Sequence, residues 1–344
     1  MLIVYGSVKT TDCRLTEEIS DGQLNTARTL WQANLHRYGS DMTDTAPPLP
    51  PQVDLSGINA DRAWRIVADT AYLWFVPRNR VLLVSFDNLA TVDRPYPRLP
   101  WLYRQAEELG YSILGMQTHA KDWFRQKTAP DLLRQLVEAR FFEAFDRVIF
   151  TGASMGGFAA LNFAPMVRGA TVLAFSPQSS MSQTICPFEK RYSWAVKNSD
   201  WTTPQFLDAG AAIPYLPRAT VLFDPLIPED GLHAARLSAP HIQQVKLSHA
   251  THEAIRVVVK AGALNPMIQE FAATGQLGPV TWTALRQRRT VRKWARSFTE
   301  NLLASHHPKL ALPAVTLLEA EGYYFATKAR QTLLDRHPDL YSQT

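Results

Sequence analysis

The chain has 344 residues, of which 46% are hydrophobic and 19% are charged, and its formal net charge is +5. This composition allows one large hydrophobic core with one or two smaller appended pieces. The two cysteines lie far apart outside any Cys-x-x-Cys pattern, so neither a disulfide framework nor a metal site is expected.

No apolar run approaches the roughly 20 residues of a membrane-spanning helix. The opening Met1 to Tyr5 is short and lacks the basic start of a signal peptide. We therefore expect a cytoplasmic protein with no membrane partner. The basic stretch Arg286 to Arg296 is interpreted as the solvated face of one amphipathic helix, and nucleic acid is not an expected partner.

The N-terminal residues give few patterns. Residues 1–78 are predicted to be an extension, with a helix around Gln23 to Arg37 and a linker at the proline cluster Ala46 to Pro51.

From residue 79 to residue 264, strand-like apolar runs alternate with helix-like segments. This alternation predicts an α/β fold with a mostly parallel sheet flanked by helices. The predicted strands are 81–86, 111–116, 147–150, 170–175, 220–223 and 242–247. The predicted helices are 101–109, 130–142, 156–166, 232–237 and 253–261.

Two segments interrupt or follow this core. An irregular, aromatic-rich insertion over 179–218 separates two of the strands. Residues 265–344 lack strand patterns and are predicted to be a C-terminal helical segment that includes a helical hairpin at Gly322.

The strand that ends at Phe150 is followed by Gly152-Ala153-Ser154-Met155-Gly156 and then by an apolar helix. A Gly-x-Ser-x-Gly sequence between a strand and a helix predicts a tight turn that exposes the serine hydroxyl. Glycines are needed there because side chains would collide with the neighbouring backbone.

This motif and the order of the elements resemble the α/β-hydrolase superfamily over residues 79–264. The resemblance implies a serine esterase or acyltransferase that needs no cofactor and no metal. Ser154 would be the nucleophile, the acid would be Asp224 or alternatively Asp230, and the base would be His252 or alternatively His249. It also implies that the insertion 179–218 is a lid.

The implied chemistry explains these residue types. A serine hydroxyl becomes a good nucleophile when an imidazole removes its proton, and a carboxylate orients that imidazole. An oxyanion hole is also required, and the resemblance assigns it to the N–H of Met155 and to that of Phe86 or Asp87. The loop Phe86-Asp87-Asn88-Leu89 departs from the common His-Gly pattern of that loop.

The expected substrate is a small-molecule or glycan ester or thioester, with Trp123 and Trp194 as candidate contacts. The alternative is a non-catalytic, hydrolase-like interaction protein that uses its C-terminal helices. Three candidate residues in superfamily order favour the enzyme, because a scaffold has no physical need for all three. The sequence predicts no oligomeric state.

Overall fold

The computed structural model describes residues 14–19, 60–305 and 307–338. The helix predicted around Gln23 to Arg37 and the proline-rich linker lie outside the described residues.

A nine-stranded sheet is the centre of the described part of the chain. Its spatial order is β1-β2-β3-β5-β4-β6-β7-β8-β9. The strands from β4 to β9 pair in parallel, whereas β1, β2 and β3 pair antiparallel along one edge. The strands are β1 (Arg14–Ile19), β2 (Ala63–Val67), β3 (Ala71–Val76), β4 (Val81–Phe86), β5 (Ser112–Thr118), β6 (Arg147–Ala153), β7 (Thr171–Phe175), β8 (Ala219–Phe223) and β9 (Ile242–Lys246).

All six strands predicted between residues 79 and 264 are present, so the predicted α/β fold with its mostly parallel sheet is confirmed. Both faces of the sheet are covered. Leu82, Val84 and Phe86 of β4 face one apolar cluster, and Leu83 faces the other, as the two-residue period of a strand requires.

Strands β1, β2 and β3 were not predicted. Every residue of β3 is buried, and β3 pairs with β5 with Leu73 opposite Met116. The sheet therefore extends into residues that the sequence analysis assigned to the N-terminal extension.

Thirteen α-helices occur in the described residues. They are α1 (Leu89–Val92), α2 (Tyr103–Leu109), α3 (Thr128–Glu138), α4 (Met155–Phe163), α5 (Ser193–Lys197), α6 (Ala209–Ala212), α7 (Pro228–Arg236), α8 (Ala254–Lys260), α9 (Leu264–Thr274), α10 (Pro279–Leu285), α11 (Arg292–Ala304), α12 (Pro308–Ala320) and α13 (Tyr324–Arg336). Helices α3 and α4 pack on the first face of the sheet. Within these described helices, none has the length and apolar character needed to cross a bilayer.

The C-terminal helices cover the second face. Phe271, Trp294, Ala311 and Leu333 belong to the same apolar cluster as Leu83 of β4. The predicted hairpin is formed by α12 and α13, which meet at a glycine whose φ of +82° favours that residue type. These helices therefore extend the core that covers the sheet.

The basic stretch departs from the prediction of one helix. Residues Arg286–Thr290 form a 3₁₀ helix, Val291 is extended, and α11 begins at Arg292. Lys293 pairs with Glu253, and Arg296 pairs with Glu300. Part of the predicted basic face is therefore neutralised by acidic partners.

Candidate active site

Ser154 stands in the turn between β6 and α4 with φ 53° and ψ −116°. A positive φ is strained for a residue with a side chain and often marks a functional turn. A Cβ on Gly152 would lie 2.2 Å from the backbone of Gly156, and a Cβ on Gly156 would lie 2.7 Å from the carbonyl oxygen of Asp87. The turn therefore requires both glycines of the motif, because the backbones touch.

His252 lies in the loop between β9 and α8, at the same carboxyl edge of the sheet as Ser154. Its Nε2 is 3.0 Å from the Oγ of Ser154. The loop turns sharply, since the preceding Thr251 has φ 63°. The structure thus brings the predicted nucleophile and the predicted base into hydrogen-bond contact.

The carboxylate that contacts the imidazole of His252 is that of Asp230. His252 Nδ1 lies 2.9 Å from each carboxylate oxygen of this residue, whose side chain is 1% exposed. Because a carboxylate can only accept, Nδ1 carries the ring proton and Nε2 is left to accept the proton of Ser154.

This geometry corrects the expectation that Asp224 is the partner of the histidine. The carboxylate of Asp224 accepts hydrogen bonds from the backbone N–H of Leu226 at 2.9 Å and that of Thr251 at 2.7 Å. Asp224 therefore shapes the loop that carries the histidine, and the alternative Asp230, in the first turn of α7, contacts the imidazole.

The serine turn follows a central parallel strand, and Ser154, Asp230 and His252 meet in chain order serine, acid, histidine. The fold is an α/β-hydrolase fold.

No protein-family model matches the chain, and no curated protein matches it either. Solved structures to which the chain is similar include a capsule O-acetyltransferase of Neisseria meningitidis serogroup A, which is 10% identical with a TM-score of 0.44 over 62% of this chain and 97% of that chain. A protein from Staphylococcus aureus proposed to be an esterase is 12% identical with a TM-score of 0.45 over 76% and 94%. Carboxyl esterase 2 of Tuber melanosporum is 11% identical with a TM-score of 0.38 over 66% and 83%. Identities this low do not extend to substrate or activity, so the chemistry must come from the residues of this chain.

The second candidate base, His249, packs against α11. Its ring packs edge-on against Trp294 and Phe298, with centroids 5.7 and 5.1 Å away. Burial lowers the pKa of His249. The indole N–H of Trp294 donates to the carbonyl of Ser248 at 3.0 Å. Helix α11 thus holds the loop that carries His252.

The insertion over 179–218 reaches Asp230 through Arg191. Its Nη1 donates to Asp230 at 2.8 Å, and its other nitrogens donate to Glu189. Glu189 also accepts from Nε2 of His233 at 3.1 Å, while His233 Nδ1 accepts from the N–H of Ser179. Burial opposes ionisation of Glu189, but hydrogen bonds from His233 and Arg191 lower its pKa to about 2. Asp230 is therefore linked to a buried ionic network that sequence reasoning did not find.

Trp123 has no exposed surface, which contradicts the expectation that it contacts a substrate directly. It is fully buried, and its indole N–H donates to the side-chain oxygen of Gln178 at 3.0 Å. Gln178 in turn contacts Ser154. Sequence reasoning missed Gln178, although a polar residue just beyond strand β7 was the available signal, because that edge of the sheet also carries Ser154 and His252.

Trp194 is 41% exposed and packs beside Trp123, with ring centroids 6.2 Å apart. It lines a surface cavity of about 350 Å³, whose other lining residues are Val92, Asp93, His119, Ala120, Lys121, Asp122, Gln126 and Asn198. The lining of this cavity does not include Ser154, Asp230 or His252, and the role of Trp194 as a substrate contact stays a prediction.

The predicted oxyanion donors differ in their availability. Met155 is the first residue of α4, where an α-helix leaves N–H groups without a partner inside the helix. The N–H of Asp87 donates to the carbonyl of Met116 at 3.2 Å, so it is not free, and this expectation is corrected. Phe86 belongs to the β4–β5 ladder, and its carbonyl oxygen faces Gly156.

The side chain of Asp87 is engaged as well. Its buried carboxylate pairs with Arg98 at 2.5 Å and accepts from the N–H of Thr118 at 3.0 Å. The Asp87 side chain thus stabilises the loop after β4 through its contacts with Arg98 and Thr118. Among residues 60–305 and 307–338, no group of three His, Cys, Asp or Glu side chains is placed to hold a metal ion.

Proposed function

We propose that this chain is a serine hydrolase or acyltransferase that acts on an ester or thioester through an acyl-enzyme on Ser154. The observation that supports it is the continuous contact from Ser154 Oγ to His252 Nε2 at 3.0 Å and from His252 Nδ1 to Asp230 at 2.9 Å. These distances fall within the reach that proton transfer requires.

In the proposed reaction, His252 Nε2 takes the hydroxyl proton while Ser154 Oγ bonds to the carbonyl carbon. The imidazolium that forms is stabilised by the buried carboxylate of Asp230. The proton then passes to the leaving alcohol or thiol as its bond to the carbonyl carbon breaks, and the acyl group stays on Ser154. Water or another hydroxyl deacylates the serine by the same steps in reverse.

We propose Trp194 as a contact for a small-molecule or glycan substrate. It offers an exposed aromatic face beside a cavity that is otherwise mostly polar. Aromatic faces of this kind bind sugar rings and apolar groups.

Labelling with a fluorophosphonate probe tests the proposal. The full chain is expected to be labelled, whereas Ser154→Ala and His252→Ala are not. His249→Ala is the matched control, because His249 lies in the same loop and contacts Trp294 instead of Ser154. It should keep most of the labelling rate.

A folded wild-type chain that neither reacts with the probe nor hydrolyses any of a panel of p-nitrophenyl esters would refute the proposal. That outcome would favour the alternative, a non-catalytic interaction protein whose C-terminal helices bind a partner.

A further inference from the structure

Gln178 places a carboxamide beside the candidate nucleophile. Its Nε2 lies 3.0 Å from Ser154 Oγ, and the residue has no exposed surface. Gln178 follows strand β7, so the peptide Ser176-Pro177-Gln178 reaches the carboxyl edge of the sheet where His252 also lies.

The orientation of this amide follows from Trp123. An indole N–H can only donate, and it lies 3.0 Å from Gln178 Oε1. A reversed amide would set two N–H donors against each other inside the core. Oε1 therefore accepts from Trp123 and also lies 3.3 Å from Ser154 Oγ, and the Nε2 amino group is the nearer of the two amide atoms to Ser154, at 3.0 Å.

Trp123 is held in position by a turn that includes Asp122 and Phe124. Trp123 and Phe124 both have positive φ, 56° and 57°. The buried carboxylate of Asp122 stabilises this turn by accepting the N–H of Phe124 at 3.0 Å. The amide of Gln178 is thus held by a chain of buried groups, as a preorganised donor requires.

In the resting site, the amino group of Gln178 can donate to Ser154 Oγ. Because His252 Nε2 accepts the hydroxyl proton, the oxygen of Ser154 is free to accept the N–H of Gln178. When that oxygen attacks a carbonyl carbon, it loses a lone pair to the new bond. The carbonyl oxygen on the same carbon gains negative charge at that moment and becomes the stronger acceptor.

The loop after β4 does not supply the N–H of Asp87, which donates to Met116. We propose that the Gln178 side chain, oriented by Trp123, is the oxyanion-hole donor that acts beside the N–H of Met155. This inference rests on the proposed acyl transfer and identifies a catalytic residue in it.

The test compares Gln178→Leu with a control variant, Gln243→Leu. The control removes the side-chain amide of Gln243, which is partly buried and donates to the carbonyl of Leu277. Loss of one oxyanion donor lowers kcat by about 10²- to 10³-fold. We expect this loss in kcat for Gln178→Leu on p-nitrophenyl acetate, with a KM within about threefold of wild type, and near-normal kinetics for Gln243→Leu.

Two further measurements separate chemistry from packing. A thionoester replaces the carbonyl oxygen by sulfur, a weak hydrogen-bond acceptor, so the wild-type preference for the oxygen ester should shrink at least tenfold in Gln178→Leu. Gln178→Glu keeps the shape and the contact to Trp123, and it serves if the leucine variant does not fold. Its negative charge opposes an oxyanion, so its kcat should fall at least as far.

Each outcome has one meaning. If wild type is inactive and unlabelled, the proposed acyl transfer fails. If wild type is active but a folded Gln178 variant keeps kcat within threefold, or keeps the oxygen-to-sulfur preference, the oxyanion role is refuted while the acyl transfer stands.

Discussion

Replacing each candidate acid by asparagine gives opposite expectations at two neighbouring sites. In Asp230→Asn the side-chain oxygen is expected to face Arg191, which can only donate. The new amino group would then stand near the oxygen position that now lies 2.9 Å from His252 Nδ1. The retained oxygen also lies 2.9 Å from Nδ1, so the amide can hold either tautomer of the ring. In the tautomer that accepts from the amino group, the ring proton is on Nε2 and Ser154 has no base.

A wrong imidazole tautomer of this kind lowers kcat about 10⁴-fold in serine proteases, which corresponds to about 5.5 kcal/mol in the barrier. We expect a loss of about 10³- to 10⁴-fold for Asp230→Asn. Asp224→Asn can keep only one of the two hydrogen bonds that the carboxylate now accepts from backbone N–H groups, so it should cost about 1–3 kcal/mol of stability. Its kcat should fall by at most about tenfold, through the loop at Thr251.

The assay is kcat and KM on p-nitrophenyl acetate, with urea unfolding of both variants to establish that they are folded. A larger kcat loss in Asp224→Asn than in Asp230→Asn would refute the assignment of the acid. Losses under tenfold in both would refute a role for either carboxylate in activating His252.

Three other measurements test the surroundings of the site. Burial raises the pKa of Asp122 from 3.8 to about 6, so the native state binds this proton more tightly than the unfolded chain. The free energy of unfolding therefore falls as the pH rises from 3.8 to about 6. Asp122→Asn should therefore stabilise the protein more at pH 7.5 than at pH 4.5, by about 1–3 kcal/mol in urea unfolding, and equal effects at both pH values would contradict the burial argument. Gly152→Ala should abolish probe labelling, because the new Cβ would lie 2.2 Å from the backbone of Gly156. The control Gly231→Ala has open space around it in α7, so it should stay active and its free energy of unfolding should rise by up to about 1 kcal/mol. An active Gly152→Ala would show that the turn relaxes. Trp194→Ala should raise KM severalfold with little change in kcat, and an unchanged KM across a substrate panel would remove this residue from the site.

The parallel strands and the serine turn could be predicted because their signals are local. Buried strands appear as short apolar runs, and a turn with touching backbones needs glycines at fixed spacing. The position of His252 followed from the same logic, since it lies where the chain turns back after the last strand.

Other features depend on distances that a sequence does not reveal. Asp224 ends a strand and fits the expected loop, but the carboxylate that contacts His252 lies six residues later, inside the first turn of α7. The N–H of Asp87 donates to the carbonyl of Met116, and this bond depends on the register in which β4 pairs with β5. Strand β3 is as apolar as β4, yet its antiparallel place beside β5 has no local signal.

The support of the His252 loop by α11 has a consequence for the order of synthesis. A ribosome delivers the serine turn first and the histidine loop about a hundred residues later, with |i−j| of 98 between Ser154 and His252. Trp294, whose indole N–H donates to the carbonyl of Ser248, lies 46 residues after Ser248 in the chain. The nucleophile of a growing chain therefore exists well before the contacts that steady its base, so full reactivity is expected only once α11 has left the exit tunnel and docked.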